Sequence, residues 1–218
     1  IPTAVFSNHD QLRSIHRIGN NLEKAKLLAL LQFTMRAVPC VYYGEEIGMT
    51  DGKIPIKEGK DPMVKVYSWV PQFIAERLPV GINRDNCRTP MQWNNQKNAG
   101  FSSSSKTWLP LNKDIEKRNA EEQLSDKESL LNVFKKLILL RKSSPAMHSG
   151  TIEMINTGNK NILAYVRSCK DEKLLVLINF SKYTKRRLNL LFLSIFHNMV
   201  LYFVFQLIDN MIDIDYVP

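Results

Sequence analysis

The short apolar run Ile1-Pro2-Thr3-Ala4-Val5-Phe6 breaks off into Ser7-Asn8-His9-Asp10, and Cys40-Val41-Tyr42-Tyr43 breaks off into Gly44-Glu45-Glu46. Between them, Leu22 to Ala37 is a stretch of strong helix formers. Leu27, Leu28, Leu31 and Met35 give it an apolar stripe, and Glu23, Lys24 and Lys26 a polar side. Val38-Pro39 closes the stretch, since a proline cannot continue a helix. This order constrains the fold more than any other feature. Two buried strands joined by one amphipathic helix make a βαβ unit, with parallel strands and a right-handed crossover. In such units chemistry collects at the C-terminal ends of the strands, where Asn8-His9-Asp10 and Gly44-Glu45-Glu46 lie. Position alone leaves these residues open to two readings, a site or a solvated loop.

Residues 50 to 125 are polar and rich in Pro, Gly, Ser and Asn, too long a stretch to be a plain connection. Ser125-Asp126-Lys127-Glu128 then reads as a capping box. It introduces a helix with Leu130, Leu131, Phe134, Leu137 and Ile138 on one face, ending at Arg141-Lys142 before Pro145. Past Gly150, runs at Thr151–Ile155, Asn161–Arg167 and Leu174–Phe180 read as strands of a small antiparallel β domain. Leu188 to Ile208 carries no Asp, Glu, Lys or Arg and follows Lys185-Arg186-Arg187. That run is long enough to span a bilayer, but Asn189, His197, Asn198 and Gln206 lie within it, so a buried strand or out-of-frame translation is the preferred reading. The chain also opens on Ile1, without Met or a polar lead-in, so the expectation is the C-terminal part of a longer protein.

Composition removes several classes. With 44% hydrophobic and 23% charged residues the chain is neither disordered nor fibrous. The net charge of +9 is scattered rather than gathered into a patch, which argues against nucleic acid as a partner. Cys40, Cys87 and Cys169 are far apart, which excludes a four-cysteine zinc site and favours a reducing, cytoplasmic compartment. His16, His148 and His197 show no ligand spacing, and neither a metal nor a cofactor is expected.

Four segments carry a resemblance. Phe6-Ser7-Asn8-His9-Asp10-Gln11 resembles the end of barrel strand seven in the α-amylase superfamily of glycoside hydrolases, and Val38 to Met49 resembles its strand eight. Arg84-Asp85-Asn86-Cys87-Arg88-Thr89-Pro90-Met91-Gln92-Trp93 is similar to a loop of oligo-1,6-glucosidases, α-glucosidases and trehalose synthases. Asn98-Ala99-Gly100-Phe101-Ser102 and Trp108-Leu109-Pro110 continue that pattern. The resemblance implies an α/β fold, the C-terminal part of a (β/α)8 TIM barrel followed by a truncated antiparallel β-sandwich. Residues 1–145 would be barrel, 146–190 partial sandwich and 191–218 an apolar tail that fits the family poorly.

Retaining glycoside hydrolysis needs a nucleophilic carboxylate and an acid/base carboxylate about 5–5.5 Å apart. The resemblance places both on earlier strands, outside this chain. It implies that Asp10 is the third family carboxylate, which stabilises the cation-like sugar, and that His9 and Arg84 bind the same sugar. Arg88 is expected to hold the loop, Glu45 and Glu46 to be structural, and Trp93, Phe101 and Trp108 to pack that loop. The expected substrate is a short α-linked gluco-oligosaccharide, split by a full-length protein acting as a monomer. A trehalose synthase and a non-catalytic heavy chain of amino-acid transporters are the alternatives, and the intact Asn8-His9-Asp10 and Arg84 disfavour the second.

Overall fold

A computed structural model describes residues 1–75, 82–170, 172–181 and 200–205. Strand β1 (Thr3–Val5) leads through helix α1 (Ser14–Arg17) and helix α2 (Leu22–Thr34) to strand β2 (Val38–Cys40), which lies beside β1. The polar stretch that follows holds short elements: helices α3 (Pro62–Val66), α4 (Gln72–Ala75) and α5 (Ala120–Ser125), and turns of 3-10 helix at Ile56–Glu58, Arg84–Arg88 and Lys97–Gly100. Then come α6 (Leu130–Ser143), α7 (Pro145–Ser149) and strands β3 (Thr151–Ile155), β4 (Ile162–Cys169), β5 (Glu172–Asn179) and β6 (Val200–Phe205). The chain divides into two compact units, one of Ile1–Thr3, Lys26–Val38 and Lys135–Pro218, the other of Ala4–Ala25 and Pro39–Phe134.

In the first unit the strands line up in the order β3-β4-β5-β6. The first two pairings are antiparallel and β5–β6 is parallel. Ala164, Val166, Leu175 and Leu177 form the core of one face, with Ile155 and Ile162 against them. Leu174 to Ile178 are all buried, so β5 is covered on both faces and reads as a continuous apolar run instead of an alternation. The three strands read from the sequence therefore lie within two residues of their observed positions.

β6 falls inside the uncharged run 188–208 and is a strand joined to a sheet, not part of a helix. The rest of that run lies outside the described residues. Among the described residues no helix is long and apolar enough to cross a membrane.

The second predicted strand is displaced. β2 takes Val38-Pro39-Cys40, and Tyr42 and Tyr43 leave the strand to flank the Arg13 guanidinium, with ring centroids 5.0 and 4.9 Å from it. Neither β1 nor β2 is buried as expected: Val5 is 48% and Val38 52% exposed, because this sheet has only two strands among the described residues.

Helix α2 buries Leu27, Leu30, Phe33 and Thr34, while Leu28 and Leu31 are only half-buried. In Leu27-Leu28-Ala29-Leu30-Leu31 nearly every position is apolar, so spacing does not single out one face. Its last carbonyls would be orphaned, as at any helix end. Arg141 donates to the carbonyls of Phe33, Met35 and Ala37, at 2.6, 3.3 and 2.5 Å, and Arg167 donates to that of Thr34 at 2.6 Å. Arg141, from its place on α6, thus caps the last turn of α2 and the turn that follows it.

The capping box at Ser125 is a correction. Ser125 ends α5 and its hydroxyl donates to the carbonyl of Glu122 at 2.7 Å. Ser129 caps α6 instead, its Oγ accepting from the Asn132 amide at 3.2 Å. Counting from that cap, Val133 joins Leu130, Phe134 and Leu137 as a buried residue, while Ile138 turns outward.

Candidate active site

All the site residues belong to the unit of Ala4–Ala25 and Pro39–Phe134. The loop after β1 is pinned at both ends. Asn8 Oδ1 accepts from the Asp10 amide at 2.9 Å, an Asx-turn that folds the loop locally. Ser7 Oγ accepts from the Ser14 amide at 2.9 Å, and the Arg13 amide donates to Asp51 Oδ1 and Oδ2 at 3.1 and 3.2 Å. Glu45 gathers the hydroxyls of Ser7 and Ser14, at 3.3 and 3.0 Å, and the Tyr42 amide at 3.1 Å. Burial pushes its carboxyl above the usual range. Glu45 is thus a structural brace, as read from its place in the turn. Gly44 takes φ +78 there, a left-handed conformation that side chains rarely adopt, and a Cβ would press on the Met49 side chain.

The second wall comes from the 3-10 turn Arg84–Arg88 and its cap, Asn83. Asn83 Oδ1 caps the Asp85 amide at 3.2 Å, and its amide nitrogen donates to the carbonyl of Ile54 at 2.9 Å. Asp85 Oδ2 accepts from the amides of Lys60 and Asp61, at 2.5 and 3.0 Å. Asn86 Oδ1 accepts from the Ile54 amide at 2.9 Å. The 3-10 turn therefore staples the excursion at 54–61 from several sides and leaves Arg84 and Arg88 to converge.

Arg84 Nη1 donates to Asp10 Oδ1 at 2.7 Å, and Arg88 Nη2 donates to the same oxygen at 3.2 Å. Arg88 Nε holds the carbonyl of His9 at 2.8 Å. His9 Nε2 stands 3.3 Å from Asp10 Oδ2. The His9 and Asp10 side chains are 67% and 46% exposed. Beneath them lies Asp61, whose side chain is wholly buried. Its Oδ2 accepts from Arg84 Nε and Arg88 Nη1, both at 2.7 Å, and its Oδ1 from Arg84 Nη2 at 2.9 Å and the Met63 amide at 2.8 Å.

The structure thus brings His9 and Arg84 each against Asp10. Arg88 does more than hold the loop, because it also reaches Asp10. Asp61 was missed. Its sequence signal, an Asp before Pro62, marks a helix N-cap and says nothing about a buried anion.

The Asp61 carboxyl is held below the ordinary range, chiefly by the bonds from Arg84. An unfolded aspartate titrates near pH 3.9, so the folded chain binds fewer protons in the interval below that value. The stabilisation is complete above the unfolded pKa and drains away as pH falls through the folded one. Urea midpoints of the protein and of Asp61→Asn should differ at pH 7 and draw together as pH is lowered progressively below the unfolded value. A gap that persists in acid would contradict this assignment.

Next to the cluster, Tyr43, Glu46, Arg88, Trp93, Phe101 and Trp108 line a cleft of about 440 Å³. Trp93, Phe101 and Trp108 are thus not packed away, and Trp108 is 77% exposed. The turn that presents Phe101 is built from three successive left-handed residues, Asn98, Ala99 and Gly100. Among the described residues no cluster of His, Cys, Asp or Glu has the grouping of a metal site.

A half-exposed carboxylate, held by two guanidiniums above a buried counter-anion, thus stands just beyond the end of β1. The profile of the alpha-amylase catalytic domain matches residues 1–150, and the chain belongs to that family. The oligo-1,6-glucosidase of Parageobacillus thermoglucosidasius is 37% identical over 192 residues, which cover 82% of this chain and 34% of the relative. Among solved structures, isomaltulose synthase from Klebsiella sp. LX3 aligns with a TM-score of 0.68 and 33% identity, over 83% of this chain and 35% of that one. Trehalulose synthase from Pseudomonas mesoacidophila MX-45 aligns with a TM-score of 0.69 and 30% identity, over 83% and 34%. The chain therefore spans about a third of the length of these relatives.

Proposed function

We propose that this chain is part of a retaining α-glucosidase acting on short α-linked gluco-oligosaccharides. In this reading residues 1–145 supply the last strands and helices of a (β/α)8 barrel, and 146–190 begin a β-sandwich, a division supported by the sheet that starts at β3. The nucleophile and the acid/base come from strands outside the chain. Asp10 supplies the third carboxylate. Positive charge develops on the ring carbon and oxygen as the glycosidic bond stretches. A preorganised anion beside them lowers the barrier without having to reorient.

The observation that carries this is the division of labour within one carboxylate. Asp10 Oδ1 takes both guanidinium arms, and Oδ2 is turned toward His9 at the open side. A sugar hydroxyl can donate to Oδ2, while the His9 ring and the forked donors of Arg84 offer partners to its neighbours.

Assay of residues 1–218 with p-nitrophenyl α-glucoside tests the role assignment. No release above background is expected from the chain alone, and rapid release is expected when the preceding barrel strands are present. Turnover by the 218 residues alone would refute the placement of nucleophile and acid/base elsewhere.

An isomerase is the second reading, favoured by the likeness to isomaltulose and trehalulose synthases. The same carboxylates would then retain the glucosyl unit for transfer within the site instead of giving it to water. Incubating the full-length enzyme with maltose and with sucrose separates the two: free glucose marks hydrolysis, a rearranged disaccharide marks isomerisation.

A further inference from the structure

We infer that Asp61 is the positioning residue of this site, the buried anion that aims Arg84 and Arg88 at Asp10. The inference deepens the proposed glucosidase reading. Arg84 presents its whole Nε–Nη2 edge to Asp61, at 2.7 and 2.9 Å, and this leaves Nη1 pointing at Asp10. Such a two-point fork fixes the plane of a guanidinium, whereas a single arm leaves it free to swing. Arg88 is fixed in another way, by Asp61 through Nη1 and by the His9 carbonyl through Nε, which leaves Nη2 for Asp10.

The contacts rank the two carboxylates. Asp61 is buried, accepts four hydrogen bonds and is anchored through the Met63 amide to the start of α3. Asp10 is half exposed and receives one arm from each arginine, both on the same oxygen. Asp61 therefore holds the arginines whether or not Asp10 is present, and Asp10 depends on the arginines for its orientation. Charge supports the same order: two cations meet two anions, so the cluster is balanced. Without Asp61, both guanidiniums would be left to Asp10, and they would close over its free oxygen as well as Oδ1. Asp10 would then be withdrawn from the sugar while remaining chemically intact.

Two measurements test this, one of them without reference to activity. The first follows the Arg84 Nε–H resonance by 15N NMR, with exchange against solvent as the readout. It should be slow to exchange in the protein and in Asp10→Asn, and lost or fast in Asp61→Asn and Asp61→Ser, both of which keep an acceptor for the Met63 amide. Loss of the signal in Asp10→Asn with retention in Asp61→Asn would overturn the ranking, whatever reaction the enzyme catalyses.

The second uses the full-length enzyme with p-nitrophenyl α-glucoside. Asp61→Asn should lower kcat about 30-fold with a smaller change in KM, the order expected when a positioned group loses its orientation. In that background Arg84→Lys should cost no more than about threefold, because the fork it would break is already gone. Full additivity of the two substitutions would overturn the inference. If the parent showed no glucosidase activity at all, the proposed function would fall, and the NMR ranking would still decide the role of Asp61.

Discussion

Asp10→Asn is expected to lower kcat of the full-length enzyme about 10³-fold, equivalent to about 4 kcal/mol of transition-state stabilisation. The substitution is nearly isosteric. An amide oxygen can still accept from Arg84 Nη1 and Arg88 Nη2, which stand 2.7 and 3.2 Å from Oδ1. Both arginines also remain tied to Asp61, so the wall of the site has no reason to move. The negative charge is lost, and with it the term that grows as the sugar becomes cation-like. Neutral substrate meets that charge mainly through hydroxyl contacts, so KM should stay within a few-fold of its starting value. Initial rates over a range of p-nitrophenyl α-glucoside concentrations give both constants. A variant that keeps kcat within tenfold would remove Asp10 from the mechanism, and a loss confined to KM would make it a binding residue only.

What the sequence revealed and what it concealed divide along the distance between partners. β3, β4 and β5 are legible because each carries its own β-branched or apolar pattern between turn residues. α2 and α6 are legible as helices for a similar reason, from spacing within a few turns. Their buried faces were less so, since in Leu27-Leu28-Ala29-Leu30-Leu31 the choice of face belongs to what packs on it. Ser129 was overlooked as a cap because Ser125 offered the same local pattern, and only the end of α5 decides between them. The displaced β2 has a similar origin. Tyr42 and Tyr43 suit a strand, yet their hydroxyls donate to the carbonyls of Cys87 and Thr89, at 3.2 and 2.8 Å, which lie far along the chain.

The site follows the same rule. Asn8-His9-Asp10 and Arg84 stand out in the sequence only through a motif shared with a family, and in the fold they meet at Asp10. Nothing local marks Asp61 as their counter-anion. Its partners Arg84 and Arg88 lie 23 and 27 residues further on, across a polar stretch whose register no periodicity fixes. A buried ion pair of this kind is specified by the whole loop. Asn83, Asp85 and Asn86 each contribute a backbone contact that brings it about.

Arg167 is the residue whose loss should cost the sheet unit most. It lies on β4, is 1% exposed, and donates to four backbone carbonyls: Nε to Thr151 at 2.9 Å, Nη1 to Thr34 at 2.6 Å, and Nη2 to Met147 and Gly150 at 3.1 and 3.0 Å. These carbonyls belong to the ends of α2 and α7 and to the start of β3, positions where a chain has exhausted its own donors. One planar cation therefore satisfies three element ends together. Arg167→Met fills much of the same volume and supplies no donor. Each buried carbonyl left without a partner costs about 1–3 kcal/mol, and neighbouring losses overlap, so the expected sum is about 3–5 kcal/mol. For a chain of this size that corresponds to a fall of roughly 10 °C in Tm. Arg167→Lys keeps the charge yet has a single nitrogen, which cannot reach carbonyls spread around a guanidinium plane, and it should recover less than half of the loss. Thermal and urea unfolding of the three proteins decide the matter. If lysine restored full stability, charge alone would be the stabilising feature and the fork irrelevant. If methionine cost less than about 1 kcal/mol, those carbonyls would have found other donors, and the ends of α2, α7 and β3 would not depend on Arg167.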